Sequence, residues 1–169
     1  MYLAIRRATD QDVNDVLAVT KESFSLYQDE LHVRYEVKAL KETIESTLAD
    51  IRDNAVFVVE RFGAICGALR IKRLSPDLWY IYRFGVSSEL TNTGFGSALL
   101  DAAIAYAKDN GAKAIALHTN SKYYRLARYY YGKQFYVHST SFDRGYVRAL
   151  FVLELTDDCG VDLSPAFLQ

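Results

Sequence analysis

Val86-Ser87-Ser88-Glu89-Leu90-Thr91-Asn92-Thr93-Gly94-Phe95-Gly96-Ser97-Ala98-Leu99-Leu100 carries the deciding pattern of this chain. An aromatic, β-prone run from Trp79 to Val86 leads into it, and a long amphipathic helical pattern leads out. Between them lies a polar loop with Gly94 and Gly96 at the helix start. The N–H groups of a first helical turn have no partner inside the helix, and the macrodipole places positive charge there. Glycine lets backbone approach an anion with no Cβ in the way. The pattern predicts a receptor for phosphate.

On either side of this loop the chain alternates between strand and helix patterns. Leu3 to Ala8 reads as a strand, and Thr9 and Asp12 stand at capping-box spacing. Val13, Val16, Leu17 and Phe24 then recur at helical spacing. In a second helix Val37, Leu40, Ile44, Leu48 and Ile51 share one face, and Asn54 ends it. Ala55–Glu60 and Ala64–Lys72 read as strands about a Phe62-Gly63 turn. Ser75-Pro76-Asp77 turns into a strand at Leu78–Val86. Gly94–Asn110 is a helix stopped by Gly111, and Ala114–Thr119 is a buried-type strand. Lys122–Lys133 is helical, and Phe135–Ser141 and Tyr146–Leu155 are the last strands. Phe167 and Leu168 are expected to pack the tail. The order β-α-α-β-β-β-α-β-α-β-β predicts an α/β fold: a mixed, mostly antiparallel sheet of about seven strands with helices on both faces. Residues 1–155 are expected to form one domain and 156–169 a tail.

Composition removes several functions. The chain has 169 residues, half of them hydrophobic, and a net charge of −1, so bulk charge recruits neither nucleic acid nor an anionic membrane. No apolar run approaches the ~20 residues of a membrane span, and no secretory leader is legible, so a cytoplasmic location is expected. Cys66 reads as a buried reduced thiol and Cys159 as a tail thiol, with no metal site. The glycine loop lacks the Lys-Ser or Lys-Thr pair of a P-loop. Leu99 stands where a dinucleotide fingerprint needs its third glycine.

The third phosphorylated candidate is coenzyme A. Phe84-Gly85-Val86-Ser87-Ser88-Glu89-Leu90-Thr91-Asn92-Thr93-Gly94-Phe95-Gly96 resembles the loop of the GNAT (GCN5-related) acetyltransferase superfamily. It keeps the valine, the acidic residue and both glycines. It departs at Ser88, where proline is usual, and at Thr91, where Arg or Gln is usual. Tyr129-Tyr130-Tyr131-Gly132-Lys133-Gln134-Phe135 resembles the family's later Tyr…Phe segment, with Gln134 in place of glycine. The resemblance covers about Met1 to Leu155.

The resemblance implies an N-acetyltransferase. It would move an acetyl group from acetyl-CoA to a primary amine, of a small molecule or a peptide, by direct attack on the thioester. The alternative is a non-catalytic acyl-CoA-binding module on the same fold. Acetyl-CoA is the implied co-substrate, with no metal, no nucleic acid and no membrane, and a homodimer is a common family state. Phe84, Gly85 and Val86 would pair with pantetheine, and Thr91, Asn92, Thr93, Gly94, Phe95, Gly96 and Ser97 would meet the pyrophosphate. Asn120 and Tyr130 complete the implied cofactor contacts. Gly85 reads either as a bulge that aims an N–H at the thioester carbonyl or as close packing. Lys122, Arg125 and Arg128 read either as charge for the phosphates or as a solvated face.

Tyr130 aligns with the tyrosine that protonates the departing thiolate, with Tyr131 and Tyr129 as register alternatives. A phenol of pKa near ~10 holds its proton at pH 7. By strict alternation Tyr80 and Tyr82 share the face of Phe84 and Val86 and line the substrate side, while Arg83 points away. No acid lies on Leu78–Val86. His118 reads either as a base or as a structural histidine, and Glu60 and Glu154 are more remote candidates. A lysine-like amine of pKa ~10.4 costs about 4.6 kcal/mol to deprotonate at pH 7, against ~1.4 for an α-amine near ~8. A site without a strong base therefore suits the weaker amine. Tyr27, His32, Tyr35, Phe142 and Tyr146 are candidate acceptor residues.

Overall fold

The computed structural model describes residues 3–157 and 160–169; Met1, Tyr2, Asp158 and Cys159 lie outside them. The strands are β1 (Leu3–Arg7), β2 (Ala55–Arg61), β3 (Ala64–Arg73), β4 (Leu78–Val86), β5 (Ala114–Asn120), β6 (Tyr136–Ser141) and β7 (Arg148–Glu154). The helices are α1 (Val13–Glu30), α2 (Ile44–Asp53), α3 (Phe95–Asp109), α4 (Tyr124–Gly132) and α5 (Ser164–Phe167). The seven strands form one sheet in the order β1-β2-β3-β4-β5-β7-β6. β4 and β5 run parallel, and β1/β2, β2/β3, β5/β7 and β6/β7 run antiparallel. This is the expected mixed, mostly antiparallel architecture.

Two compact units divide the chain. The first comprises Met1–Lys72 and Arg83–Ala105, and the second Arg73–Tyr82 and Tyr106–Gln169. In the first, Val16 and Val19 of α1 and Ile51 of α2 bury against Val56, Val58 and Ala68. Each such aliphatic contributes roughly 1.5–3 kcal/mol of hydrophobic stabilisation. The Asp12 carboxylate accepts from the Thr9 N–H at 2.7 Å and its hydroxyl at 3.1 Å, as the capping spacing predicts. Arg6 clamps the same carboxylate at 2.8 and 2.9 Å and donates from Nε to Glu60 at 3.0 Å. These bonds, led by Arg6, hold the Asp12 carboxyl far below the usual carboxylate range.

Several local expectations are corrected. The second helix begins at Ile44, because Thr43 and Ser46 form a reciprocal capping box there; Lys38–Lys41 is a separate 3₁₀ turn. Cys66 is half-buried, with Sγ 3.3 Å from the Ala64 carbonyl. It is the extra residue of a bulge, since Val59 pairs with Gly67 and Glu60 with Ile65. In the tail it is Ala166 that is buried, alongside Leu163 and Val161 on the core of the second unit; Phe167 and Leu168 are exposed.

The largest correction concerns β4. Arg83 adopts φ +51°, a left-handed backbone inside the strand. Before it the Trp79 ring meets Tyr106 of α3 edge-on at 5.7 Å. After it Phe84 and Val86 face Gly96 of α3, where an added Cβ would lie 3.7 and 3.8 Å from them. The residues that meet α3 thus change from odd to even along β4. The alternation shifts phase, so Tyr80 and Tyr82 do not share the face of Phe84 and Val86. The left-handed residue of the strand is Arg83, and the missing Cβ of Gly85 makes room for α1. An added Cβ there would fall 2.2 Å from Ser23 Oγ and 2.6 Å from Ser23 Cβ.

Gly85→Ala is expected to destabilise the fold by about 1–3 kcal/mol, the cost of overpacking. In a urea double-mutant cycle Ser23→Gly should return most of that loss through a favourable coupling term. Additive single effects would show that Ser23 is not the obstacle.

Candidate functional site

Residues Val86–Leu100 belong to the first unit. Ser88–Leu90 forms a 3₁₀ turn, and Leu90 anchors it in the core. Thr93 Oγ1 donates to the Leu90 carbonyl at 2.5 Å. Asn92 (φ +64°) and Gly94 (φ +88°) are both left-handed, and Thr91–Gly94 is exposed. The first helical bond of α3 is Ala98 N–H to Gly94 O at 3.0 Å, so the N–H groups of Phe95 and Gly96 precede the helical ladder. Open space surrounds the position of a Gly94 Cβ, so its backbone conformation, not crowding, demands glycine. The Phe95 side chain is core, only 4% exposed, which leaves its backbone as the part open to a ligand.

A second feature of this unit escaped sequence reasoning. Glu42 Oε1 accepts from Arg83 Nε at 2.8 Å, and Oε2 accepts from Ser46 Oγ at 2.5 Å and lies 3.3 Å from Arg70 Nη1. Burial pushes the Glu42 carboxyl up, but these partners outweigh it and hold it below the usual range. Arg70 is wholly buried and reaches Asp50 at 2.6 Å. Glu42 therefore ties the segment before α2 to the left-handed turn of β4. An acid followed by serine four residues on, before an apolar helix face, was the available signal.

The second unit holds the titratable aromatic residues. The Tyr80 hydroxyl and His118 Nδ1 lie 2.7 Å apart, and Tyr80 stacks on Tyr82 at 6.4 Å between centroids. Burial pushes the Tyr80 phenol up to about 12. Burial, then the Arg148 charge, push the His118 imidazole down to about 4. Both are neutral at pH 7. Arg148 is itself buried and donates from Nε and Nη2 to the two Asp143 oxygens at 3.2 Å each.

Tyr130 is the buried member of its trio, 5% exposed, while Tyr131 is 55% exposed. Its ring packs against Phe135 and Phe151 at 5.6 and 5.5 Å. Burial pushes its phenol far above the usual value, with Tyr129 and Tyr80 adding to the shift. Asn120 Oδ1 accepts from Lys122 N–H at 2.9 Å, which organises the turn into α4. Lys122, Arg125 and Arg128 are exposed. The other carboxylate candidates are engaged: Glu60 with Arg6, and Glu154 with the Tyr136 hydroxyl at 3.0 Å. Of the acceptor candidates, Tyr27 and Tyr35 join hydroxyls at 3.1 Å. No His, Cys, Asp and Glu grouping among the described residues would hold a metal, and no helix is long and apolar enough to cross a membrane.

The neutral His118 has a consequence for stability. The unfolded imidazole takes up its proton near pH 6.5 and the folded one only near 4, so in this window the unfolded chain binds more protons and stability is lost as the pH is lowered. The wild-type Tm is expected to drop more steeply between pH 6.5 and 4 than that of His118→Gln. Scanning calorimetry across the window checks this, and equal slopes would refute it. The loss from protonating Asp12 comes at lower pH and is common to both proteins.

With this geometry in hand, comparisons place the chain among known proteins. The Acetyltransferase (GNAT) family profile matches residues 20–136. The fold is similar to that of the PaiA N-acetyltransferase from Thermoplasma acidophilum, a structure in complex with coenzyme A. The TM-score is 0.79 at 17% identity, over 91% of this chain and 99% of that one. It is also similar to yncA from Salmonella typhimurium, a structure with its cofactor acetyl-CoA; the TM-score is 0.76 at 17% identity, over 96% and 99% of the two chains. An N-acetyltransferase from Staphylococcus aureus Mu50 gives 0.71 at 20% identity, over 92% and 100%. No curated protein matches the sequence significantly. The family match spans well over half of the chain, from within α1 to the start of β6, and the chain belongs to the acetyltransferase (GNAT) family.

Proposed function

We propose that the chain is an acetyl-CoA-dependent N-acetyltransferase acting on a primary amine, and that residues 1–155 work as one catalytic domain. The observation that carries this reading is the left-handed Asn92–Gly94 loop at the start of α3, in a chain of this family. A cytoplasmic setting belongs to the same reading. Acetyl-CoA, when bound, supplies a thioester carbonyl open to attack by the amine. The residues fit such a ligand: Gly94 needs no Cβ, and Gly96 adds no side chain to the first turn of α3.

In this reading Thr91–Ser97 offer backbone donors to the pyrophosphate, and Phe84–Val86 offer strand edges to pantetheine. The Gly85 N–H is the candidate donor to the developing oxyanion. Tyr130 is the acid for the leaving sulfur; its apolar surround keeps the phenol protonated at pH 7 and at the same time makes it a weaker proton donor than a free phenol. Tyr80 and Tyr82 shape the acceptor side. His118 is neutral but feebly basic, so it orients and does not drive deprotonation. The amine loses its proton chiefly to solvent, at a cost set by its own pKa.

Calorimetric titration with coenzyme A tests the loop. Gly94→Ala should cost about 1–2 kcal/mol of stability, the penalty for a left-handed Cβ, and weaken binding. Gly96→Ala has ordinary room and should fold normally, yet bind coenzyme A about tenfold more weakly because its methyl stands at the first turn. Unchanged affinity in both variants would remove the loop from the site.

Tyr130→Phe should lower kcat for acetyl transfer about 10²-fold or more, with coenzyme A affinity retained. In wild type, kcat/KM should rise with pH up to the pKa of the amine, with no enzyme ionisation between pH 6 and 8. A break there that His118→Gln abolishes would restore His118 as the base. The engaged state of every candidate carboxylate favours one second reading, a non-catalytic acyl-CoA-binding module. Coenzyme A binding with no turnover across a panel of primary amines would select it.

A further inference from the structure

Past Arg83, β4 is packed from several sides within the first unit. Phe84 and Val86 support Gly96 in the first turn of α3, where an added Cβ would lie 3.7 and 3.8 Å from them. Gly85 passes Ser23 of α1, which leaves no room for a Cβ. Toward β3, an added Cβ at Gly67 would lie 2.8 Å from Val86 Cγ1 and 3.2 Å from the Gly85 carbonyl oxygen. The Ser87 N–H donates to the Cys66 carbonyl at 2.8 Å. Among the described residues, the parallel register of β4 with β5 covers Leu78–Tyr80, ahead of Arg83.

Side chains alternate along a strand, so the backbone at Arg83 decides which face each later residue takes. With Arg83 left-handed, Phe84 and Val86 meet α3 and Gly85 meets α1. With Arg83 in ordinary extended backbone, strict alternation would turn Phe84 and Val86 toward α1, where Ser23 stands. The first turn of α3 would then lose the side chains beneath Gly96. These are two discrete arrangements, and the arginine does not favour the observed one by itself. Its surroundings must hold it there.

Glu42 supplies that hold. Its Oε1 accepts from Arg83 Nε at 2.8 Å. Its Oε2 accepts from Ser46 Oγ at 2.5 Å, and Ser46 forms the capping box of α2 with Thr43. The clamp on the strand is thereby anchored at the start of a helix. The Glu42 side chain is 10% exposed and that of Arg83 24%, so salt screens the pair weakly. Neutralising the buried Arg70 does not require Glu42. Asp50 meets the same Nη1 at 2.6 Å, against 3.3 Å for Glu42.

We propose that Glu42 is a positioning residue for coenzyme A: by fixing Arg83 it sets the faces of Phe84–Val86, which support the glycine loop and present the strand to pantetheine. The proposal rests on the acetyltransferase reading above.

The test titrates coenzyme A calorimetrically into wild type and variants, with urea unfolding run on each. Glu42→Ala should weaken coenzyme A about tenfold and raise the acetyl-CoA KM in parallel, the effect of a displaced binding strand. In an Arg83→Gly background, where glycine takes left-handed backbone without a clamp, the same Glu42→Ala change should cost less than about threefold in affinity. Arg83→Leu breaks the bond from the strand side and leaves Glu42 beside Arg70. It should bind coenzyme A about tenfold more weakly than Arg83→Gly, a comparison that stands even where Glu42→Ala does not fold. Asp50→Asn removes the closer partner of Arg70; it should lower stability to urea yet keep affinity within about twofold. An Asp50→Asn loss of affinity equal to that of Glu42→Ala overturns the proposal, because the effect is then a general loosening. So does a Glu42→Ala loss undiminished in the Arg83→Gly background, or equal binding by Arg83→Leu and Arg83→Gly. Failure of wild type to bind coenzyme A overturns the acetyltransferase reading. The Gly96 amide resonance of the ligand-free protein then judges Glu42 separately. A shift in Glu42→Ala that Arg83→Gly reverses sustains its hold on β4, and no shift removes it.

Discussion

The left-handed backbone at Arg83 is the constraint around which β4 is built. A non-glycine residue in that region costs about 1–2 kcal/mol, and it persists only where its surroundings fix it. Here the Arg83 guanidinium is held by Glu42, and Glu42 is held in turn by Ser46 and the buried Arg70. The shift in alternation that follows gives one strand two uses. Its first half sends Trp79 to α3 and Tyr80 to His118. Its second half sends Phe84 and Val86 to α3, and lets Gly85 pass Ser23 without a side chain. The two compact units of the chain divide at this same residue.

That shift also marks where the sequence stopped being legible. Element order, the Phe62-Gly63 turn and the Thr9–Asp12 cap follow from local rules, and the structure repeats them. Strict alternation along Leu78–Val86 was the natural reading, because a left-handed arginine leaves no compositional mark. Gly85 was open to two readings, a bulge or close packing, and the sequence alone does not choose between them; the contact with Ser23, some sixty positions earlier, is one that no local rule sees. The second helix was read too early for a related reason: Val37 and Leu40 fit the helical period, and only the Thr43–Ser46 box shows where the ladder starts.

The candidate site was legible in part. The glycine loop is a contiguous stretch whose special backbone is written in its residues, so Gly94 and its left-handed φ were foreseeable. The titratable aromatic and hydroxyl groups of the second unit come from β4, β5, β6, β7 and the tail, and no spacing rule joins those segments. The tail is the clearest instance. Phe167 and Leu168 were the apolar residues on offer, yet Ala166 is the one buried. A small residue fits against Leu150 and Val152 where a large one would not, and it thereby leaves Phe167 to line a cavity with His118 and Leu150.

The missing general base has a physical explanation beyond the absence of an acid on β4. Glu42, Glu60 and Asp143 each meet at least one arginine, and Glu154 accepts from a tyrosine. A carboxylate satisfied by cationic donors is a poor proton acceptor, because protonation would forfeit those bonds. Burial meanwhile raises both phenols and lowers the imidazole, so Tyr80, Tyr130 and His118 are all uncharged at neutral pH. Such a set favours uncharged reactants and a charge that appears only in the transition state, where fixed dipoles act without prior reorganisation. In the acetyltransferase reading proposed above, the proton balance then falls on the amine itself, at a cost set by its own pKa.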